Sequence, residues 1–178
     1  QLEIVQAQGE MGGAPLRLQG TVGLQKPHEL DLEATGEDVL LRRLDGLKLR
    51  ADAQLALNGP LEGLRATGTV ALTDCRFVRR YNPMTVLQRD RGSLSSSRGF
   101  SFSIAETPPW SEIDLDIEIR SKEPFQLKNN IIKGSLRPEL QLVGSCAVPV
   151  VQGSIYLDPT RVVLPSGTLN VRAGTFNF

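Results

Sequence analysis

Aromatic residues are scarce, at 5% of the chain, and Trp110 is the single tryptophan. A compact β-sandwich leans on large aromatic anchors, so this scarcity disfavours that form. Charge imbalance is missing too, with 20 acidic and 20 basic residues. Without a basic excess the chain has no footprint for phosphate backbones, and no nucleic acid partner is expected. The one histidine, His28, follows Pro27 in a polar turn and reads as a solvent-exposed turn residue. Two cysteines, Cys75 and Cys146, stand too far apart for a metal motif. Whether they approach closely enough to pair is left open by the sequence, and free, buried small apolar residues are the default. No apolar run approaches the roughly 18 residues of a membrane-spanning helix, and no signal peptide opens the chain.

Catalysis needs a base within reach of a nucleophile, carboxylates with separated pKa values, or a metal set. The sequence assembles none of these, so no enzymatic role, metal or cofactor is expected. Asp114, Asp116 and Glu118 recur at alternate positions, which invites comparison with a calcium site. No glycine-bearing loop positions their oxygens, and a solubilising outer strand face is the favoured reading. Glycine-rich stretches lack the strand, loop and helix context of a phosphate cradle.

What is abundant is alternation. From Leu47 to Asn58 almost every odd position is apolar and most even positions are charged or amide, the period of a strand with one dry face. The run breaks at Asn58-Gly59-Pro60, and a second strand follows through Ala66 to Leu72. This unit recurs: Leu55-Ala56-Leu57-Asn58-Gly59 matches Leu140-Gln141-Leu142-Val143-Gly144, and Gly68-Thr69-Val70-Ala71-Leu72 matches Gly153-Ser154-Ile155-Tyr156-Leu157. A weaker echo runs from Leu16 to Leu24. One unit over 1–178 is expected, with an internal β repeat at about 38–78 and 124–164.

Taken in order, residues 1 to 24 read as two strands around the glycine-rich stretch Gly9 to Pro15, and Leu30, Leu32 and Ala34 make a third. Glu37 to Leu44 fits a helical turn or a strand, and its repeat position opposite Phe125 favours strand. Asn82-Pro83 offers a cap for a short helix over Met84 to Arg89. Arg91 to Arg98 reads as a loop, Phe100, Phe102 and Ile104 resume alternation, and Thr107-Pro108-Pro109 breaks it. Ile113, Leu115, Ile117 and Ile119 define the cleanest strand. Phe125 to Lys128 extends again, and Asn129-Asn130 turns the chain into Ile131. After Leu157 come strands over Arg161 to Leu164 and Leu169 to Arg172. The apolar parity switches at Ala173-Gly174, as a β-bulge would require. The total is about a dozen strands and at most one helix, an all-β chain.

So many amphipathic strands leave a continuous apolar surface with few helices to cover it. The sheet either closes as a sandwich or barrel, or curls into an open trough whose aliphatic lining suits acyl chains. In the second case the lining is expected to be Leu47, Leu49, Leu55, Leu57, Val70, Leu72, Ile113, Leu115, Ile117, Ile119, Leu140, Leu142, Ile155 and Leu157. Periodicity alone does not separate the two.

Leu55-Ala56-Leu57-Asn58-Gly59-Pro60 followed by Thr67-Gly68-Thr69-Val70 resembles the recurring units of the AsmA-like superfamily. Val151 to Leu157, then Leu169 to Phe178, with Asn129-Asn130 ahead of the Leu136 to Gly144 strand, is similar to its TamB-type C-terminal region. The resemblance covers most of 38–178 and, more weakly, the beginning. It implies an elongated, U-shaped antiparallel sheet, a β-taco with an apolar inner groove. It further implies a protein anchored in the inner membrane of a diderm bacterium and reaching across the periplasm, with a role in outer-membrane biogenesis. That role is either phospholipid transport between the two membranes, with acyl chains in the groove, or work with a TamA- or BamA-type barrel partner. Gln1 opens in mid-pattern and Phe178 closes on one, so a piece of a longer protein is expected, without the anchor and without the sequence after the last strand that meets the barrel. Beside a lipid conduit stand two other expectations: a chaperone-like module that receives strands of nascent outer-membrane proteins by β-augmentation, and a structural β-solenoid.

Overall fold

Among the described residues the two-residue period of the sequence becomes thirteen strands that all join one sheet. The computed structural model describes residues 2–24, 28–44, 46–78, 104–105 and 107–178. Strands β1 (Leu2–Met11) and β2 (Ala14–Val22) form a hairpin across Gly12 and Gly13. The meander continues through β3 (Glu29–Leu44), β4 (Leu47–Pro60) and β5 (Arg65–Leu72), and β6 (Arg76–Phe77) is a two-residue piece. A 3₁₀ turn at Trp110–Glu112 precedes β7 (Asp114–Ser121), β8 (Phe125–Lys128), β9 (Ile132–Ser145) and β10 (Pro149–Leu157). The last three are β11 (Thr160–Leu164), β12 (Gly167–Val171) and β13 (Gly174–Asn177). The main path across the sheet is β1-β2-β3-β4-β5-β7-β9-β10-β13. Beside it, β6 joins β4 to β8, β8 pairs with β9, and β11 pairs with β9 and β12.

The fold is the expected all-β curled sheet, but it is mixed rather than wholly antiparallel. Strand β5 runs parallel to β7, and β6 parallel to β8. A parallel neighbour needs a connection of a dozen or more residues, and residues 73–113 supply that length between β5 and β7. Alternation has the same period in either direction, so it carried no sign of this. The expected helix at Met84 to Arg89, the loop at Arg91 to Arg98 and the alternation at Phe100 and Phe102 lie outside the described residues.

Two local readings are corrected. Leu30 to Ala34 and Glu37 to Leu44 are not separate segments but one strand, β3, which carries extra residues between Gly36 and Val39 and between Leu40 and Arg42. At the first irregularity Asp38 adopts φ 52, a left-handed conformation that aspartate tolerates. Side-chain bonds hold it there: its N–H donates to Asp52 Oδ1, and its carbonyl accepts from Arg50 Nη1. Ala173-Gly174 is likewise not a one-residue bulge. Leu157 faces Gly174 and Thr160 faces Val171, so both partners advance three positions across the interruption. The kink is shared, and both strands exchange faces together, which accounts for the parity switch.

Candidate functional site

Directly paired residues project from the same side of a sheet, so the register defines the faces. One row runs through Leu32, Leu57, Ala66, Leu115, Gly144 and Pro149. The next holds Ala34, Leu55, Gly68, Ile117, Leu142 and Val151, and the third Gly36, Ala53, Val70, Ile119, Leu140 and Gly153. Leu72 pairs with Ala51, and Leu49 and Leu47 continue the same side of β4, Leu47 beside Phe77. Ile155 and Leu157 follow on β10 opposite Pro138 and Leu136. Ile113 lies just ahead of β7, its carbonyl accepting the Cys146 N–H. All of the candidate lining residues therefore share one face.

How deeply that face is covered separates a closed core from an open one. Ile113 and Leu115 are buried, at 7% and 5% exposure, while the other candidates, from Leu47 to Leu157, are only half-buried. The buried pair belongs to a cluster with Leu64 and Cys146 at one end of the sheet, packed by Leu30, Leu57, Leu61 and Leu142. The turn after β4 closes that end by folding Leu61 and Leu64 over the apolar side. Beyond it, the aliphatic rows remain accessible.

Several lining residues escaped the sequence reading. Phe77, Leu127 and Phe125 extend the apolar face through the pairings Leu47–Phe77–Leu127 and Phe125–Leu136. Leu16, Leu18, Val22, Leu30 and Leu32 add the β2 and β3 portion. Their alternation was legible, and extending the parity count to every strand would have found them. Val151 was hidden because Val150 and Val151 are both apolar; only the register puts Val151 inside, opposite Leu142.

The opposite side is wet and laced with ion pairs. Asp114 meets Arg65, Glu118 meets Arg120, and Asp116 accepts from Gln141 Nε2 at 2.6 Å. The alternating acids of β7 thus lie on the polar face, each with a neutralising or donating neighbour. A hydrogen bond from Lys122 Nζ at 2.5 Å, helped by the Asp38 N–H, holds the Asp52 carboxyl below the usual carboxylate range. Lys48 and then Arg76 do the same for Asp74, and Arg137 with Ser135 for Asp158. His28 is exposed, with Nδ1 3.3 Å from the Gly23 carbonyl oxygen. Cys75 and Cys146 are free and buried, and burial raises both thiols above the ordinary value. No helix among the described residues is long and apolar enough to cross a membrane.

A family model described as TamB C-terminal domain matches residues 6–178. No curated protein and no solved structure matches the chain. The match spans nearly the whole sequence, and the chain belongs to the TamB C-terminal domain family, a family of the bacterial envelope with a role in outer-membrane assembly.

Proposed function

We propose that this chain is a periplasmic segment of a TamB-like bridge, anchored in the inner membrane through another part of the protein, that carries phospholipid between the two membranes. It acts without turnover chemistry, by solvating acyl chains along its apolar face. One observation carries this reading: rows of Leu, Ile and Val run across successive strands and stay half-buried, where a sandwich core would seal them. Each methylene removed from water is worth ~0.8 kcal/mol, so such a face favours an apolar occupant over solvent. Transfer from a bilayer interior, already as apolar as leucine, is close to neutral. A chain that enters and leaves without a deep energy well is what a conduit needs.

The competing reading is a module that adds strands of nascent outer-membrane proteins, beside a TamA- or BamA-type barrel. Its supporting observation is β1, which among the described residues pairs only with β2 and so presents its other edge over ten residues. The irregularity between Ile4 and Ala7, with Glu3 and Glu10 on the same strand, works against edge pairing. Transfer of a fluorescent phospholipid from vesicles discriminates the two. Ile119→Asp and Leu140→Asp place a charge in the middle of the apolar face and are expected to abolish uptake, whereas a proline on the free edge of β1 leaves it intact. Uptake unaffected by either aspartate would overturn the lipid reading.

A further inference from the structure

We propose that Lys128, Lys133 and Arg161 form a phosphate-binding site at the tip of the β8–β9 hairpin. The register puts Lys128 directly opposite Lys133, and Lys133 directly opposite Arg161, in one row on the polar side. Directly opposed residues hold their Cβ atoms about 5 Å apart, and like charges so placed destabilise a sheet. Several basic groups elsewhere on this side rest on carboxylates, as Lys122 does on Asp52 and Arg137 on Asp158. These three make no ion pair among the described residues. Asp158, near the adjacent row through Ser135, is already held by Arg137. The fold has gathered three cations in one row with no counter-charge among the described residues.

Beside the row lies a cleft of about 1160 Å³ whose lining includes Lys128, Asn129 and Lys133. Asn129 is 9% exposed, and its Oδ1 accepts the N–H groups of Ile131 and Ile132 at 2.8 and 2.6 Å. Those bonds fix the hairpin tip and leave Nδ2 as a donor with no acceptor among the described residues. Two ammonium groups and an amide donor line the cleft, and the Arg161 guanidinium stands on the next strand, opposite Lys133. Together they exceed what a carboxylate engages, whereas a phosphate group presents enough acceptor oxygens for all four.

The phosphate is either free or part of a lipid headgroup. Leu127 and Ile132, the chain neighbours of Lys128 and Lys133, belong to the apolar side, so a lipid whose tails lie on that side reaches the row around the hairpin rim. The headgroup version rests on the acyl-chain reading; the phosphate site itself does not.

The test compares the full chain with its Lys128→Gln/Lys133→Gln variant, which removes repulsion and is expected to unfold at a midpoint no lower than the parent's. Inorganic phosphate is titrated against the backbone amide NMR spectrum. Vesicle-to-protein transfer is measured for phosphatidylglycerol and for diacylglycerol with the same acyl chains. Phosphate should shift amides over 128–135 in the parent and not in the variant. The parent should prefer phosphatidylglycerol about tenfold, the worth of one charged hydrogen bond, and the variant should lose that preference while keeping its diacylglycerol uptake. Phosphate shifts without uptake of either lipid assign the site to free phosphate and remove the acyl-chain reading. Equal uptake of both lipids by both proteins, with no phosphate shifts, overturns the site and leaves the acyl-chain reading standing.

Discussion

Gly68 on β5 approaches Gln54 on β4 so closely that a Cβ on the glycine would fall 2.1 Å from the Gln54 carbonyl oxygen. The same approach recurs at Gly153 against Glu139, at 2.3 Å, and at Gly20 against Asp31, at 2.0 Å. Their φ values of 143, 120 and 142 lie in a region that is essentially glycine's alone. In each case the paired residue on the neighbouring strand is a leucine: Leu55, Leu140 and Leu32. Alanine at any of the three is expected to cost at least about 2 kcal/mol, from backbone strain and from the clash. Gly9→Ala, where nothing lies within 4 Å, should stay within about 0.5 kcal/mol of the parent. Urea unfolding midpoints check this, and four indistinguishable midpoints would refute the close approach.

The openness of the apolar face has a signature in stability alone. Leu115, at 5% exposure in the sealed end cluster, should lose about 2–4 kcal/mol on truncation to alanine. Ile119, on the same strand face but half-buried, should lose no more than about half as much, because part of its surface already meets solvent. Equal losses at the two positions would indicate a closed core.

Acid should weaken the fold through the polar side. Asp52, Asp74 and Asp158 are held below the ordinary carboxylate range by Lys122, Lys48 and Arg137. A carboxyl easier to ionise in the folded state contributes stability above its unfolded pKa, near 3.9, and that contribution is lost as pH falls through the lower folded value. The Lys122 ammonium, raised by the same pair, contributes below its unfolded pKa, about 10.4, and loses that contribution as pH rises through the higher folded value. Urea midpoints should therefore hold level between about pH 5 and 9 and fall below about pH 4, with a shallower acid limb in the Asp52→Asn/Asp158→Asn variant. Parallel acid limbs in parent and variant would count against these pairs.

The thiols offer a probe of local burial. Cys75 and Cys146 are buried, and burial disfavours the thiolate that reacts. Neither should be modified by a thiol reagent at pH 8 within the time that denatured chain takes to label fully. Rapid labelling of Cys146 in native buffer would mean that the Leu64, Ile113 and Leu115 end is not sealed.

How much of this was legible in the sequence follows from what alternation encodes. It fixes which side chains share a face, so Leu47 to Leu57 and Ile113 to Ile119 could be assigned to one apolar side before any register was known. It is blind to strand direction, so the parallel pairing of β5 with β7 was missed. It is also blind to rows assembled from distant segments: Lys128, Lys133 and Arg161 meet only through two separate strand pairings. The Asp38 irregularity was hidden for another reason, since its side-chain bonds come from Arg50 and Asp52, a strand away. The end closure did leave a signal. Leu61 and Leu64 are large apolar residues in a turn where polar ones are the norm, and their presence marks a turn that folds inward.

The most direct test of the apolar face is native mass spectrometry on protein purified without detergent from a lipid-containing host, followed by extraction and identification of what it carries. Phospholipid bound in stoichiometric amounts, displaced in the Ile119→Asp variant, is the predicted result. A lipid-free chain that also takes up no labelled phospholipid from vesicles would contradict a lipid-carrying face.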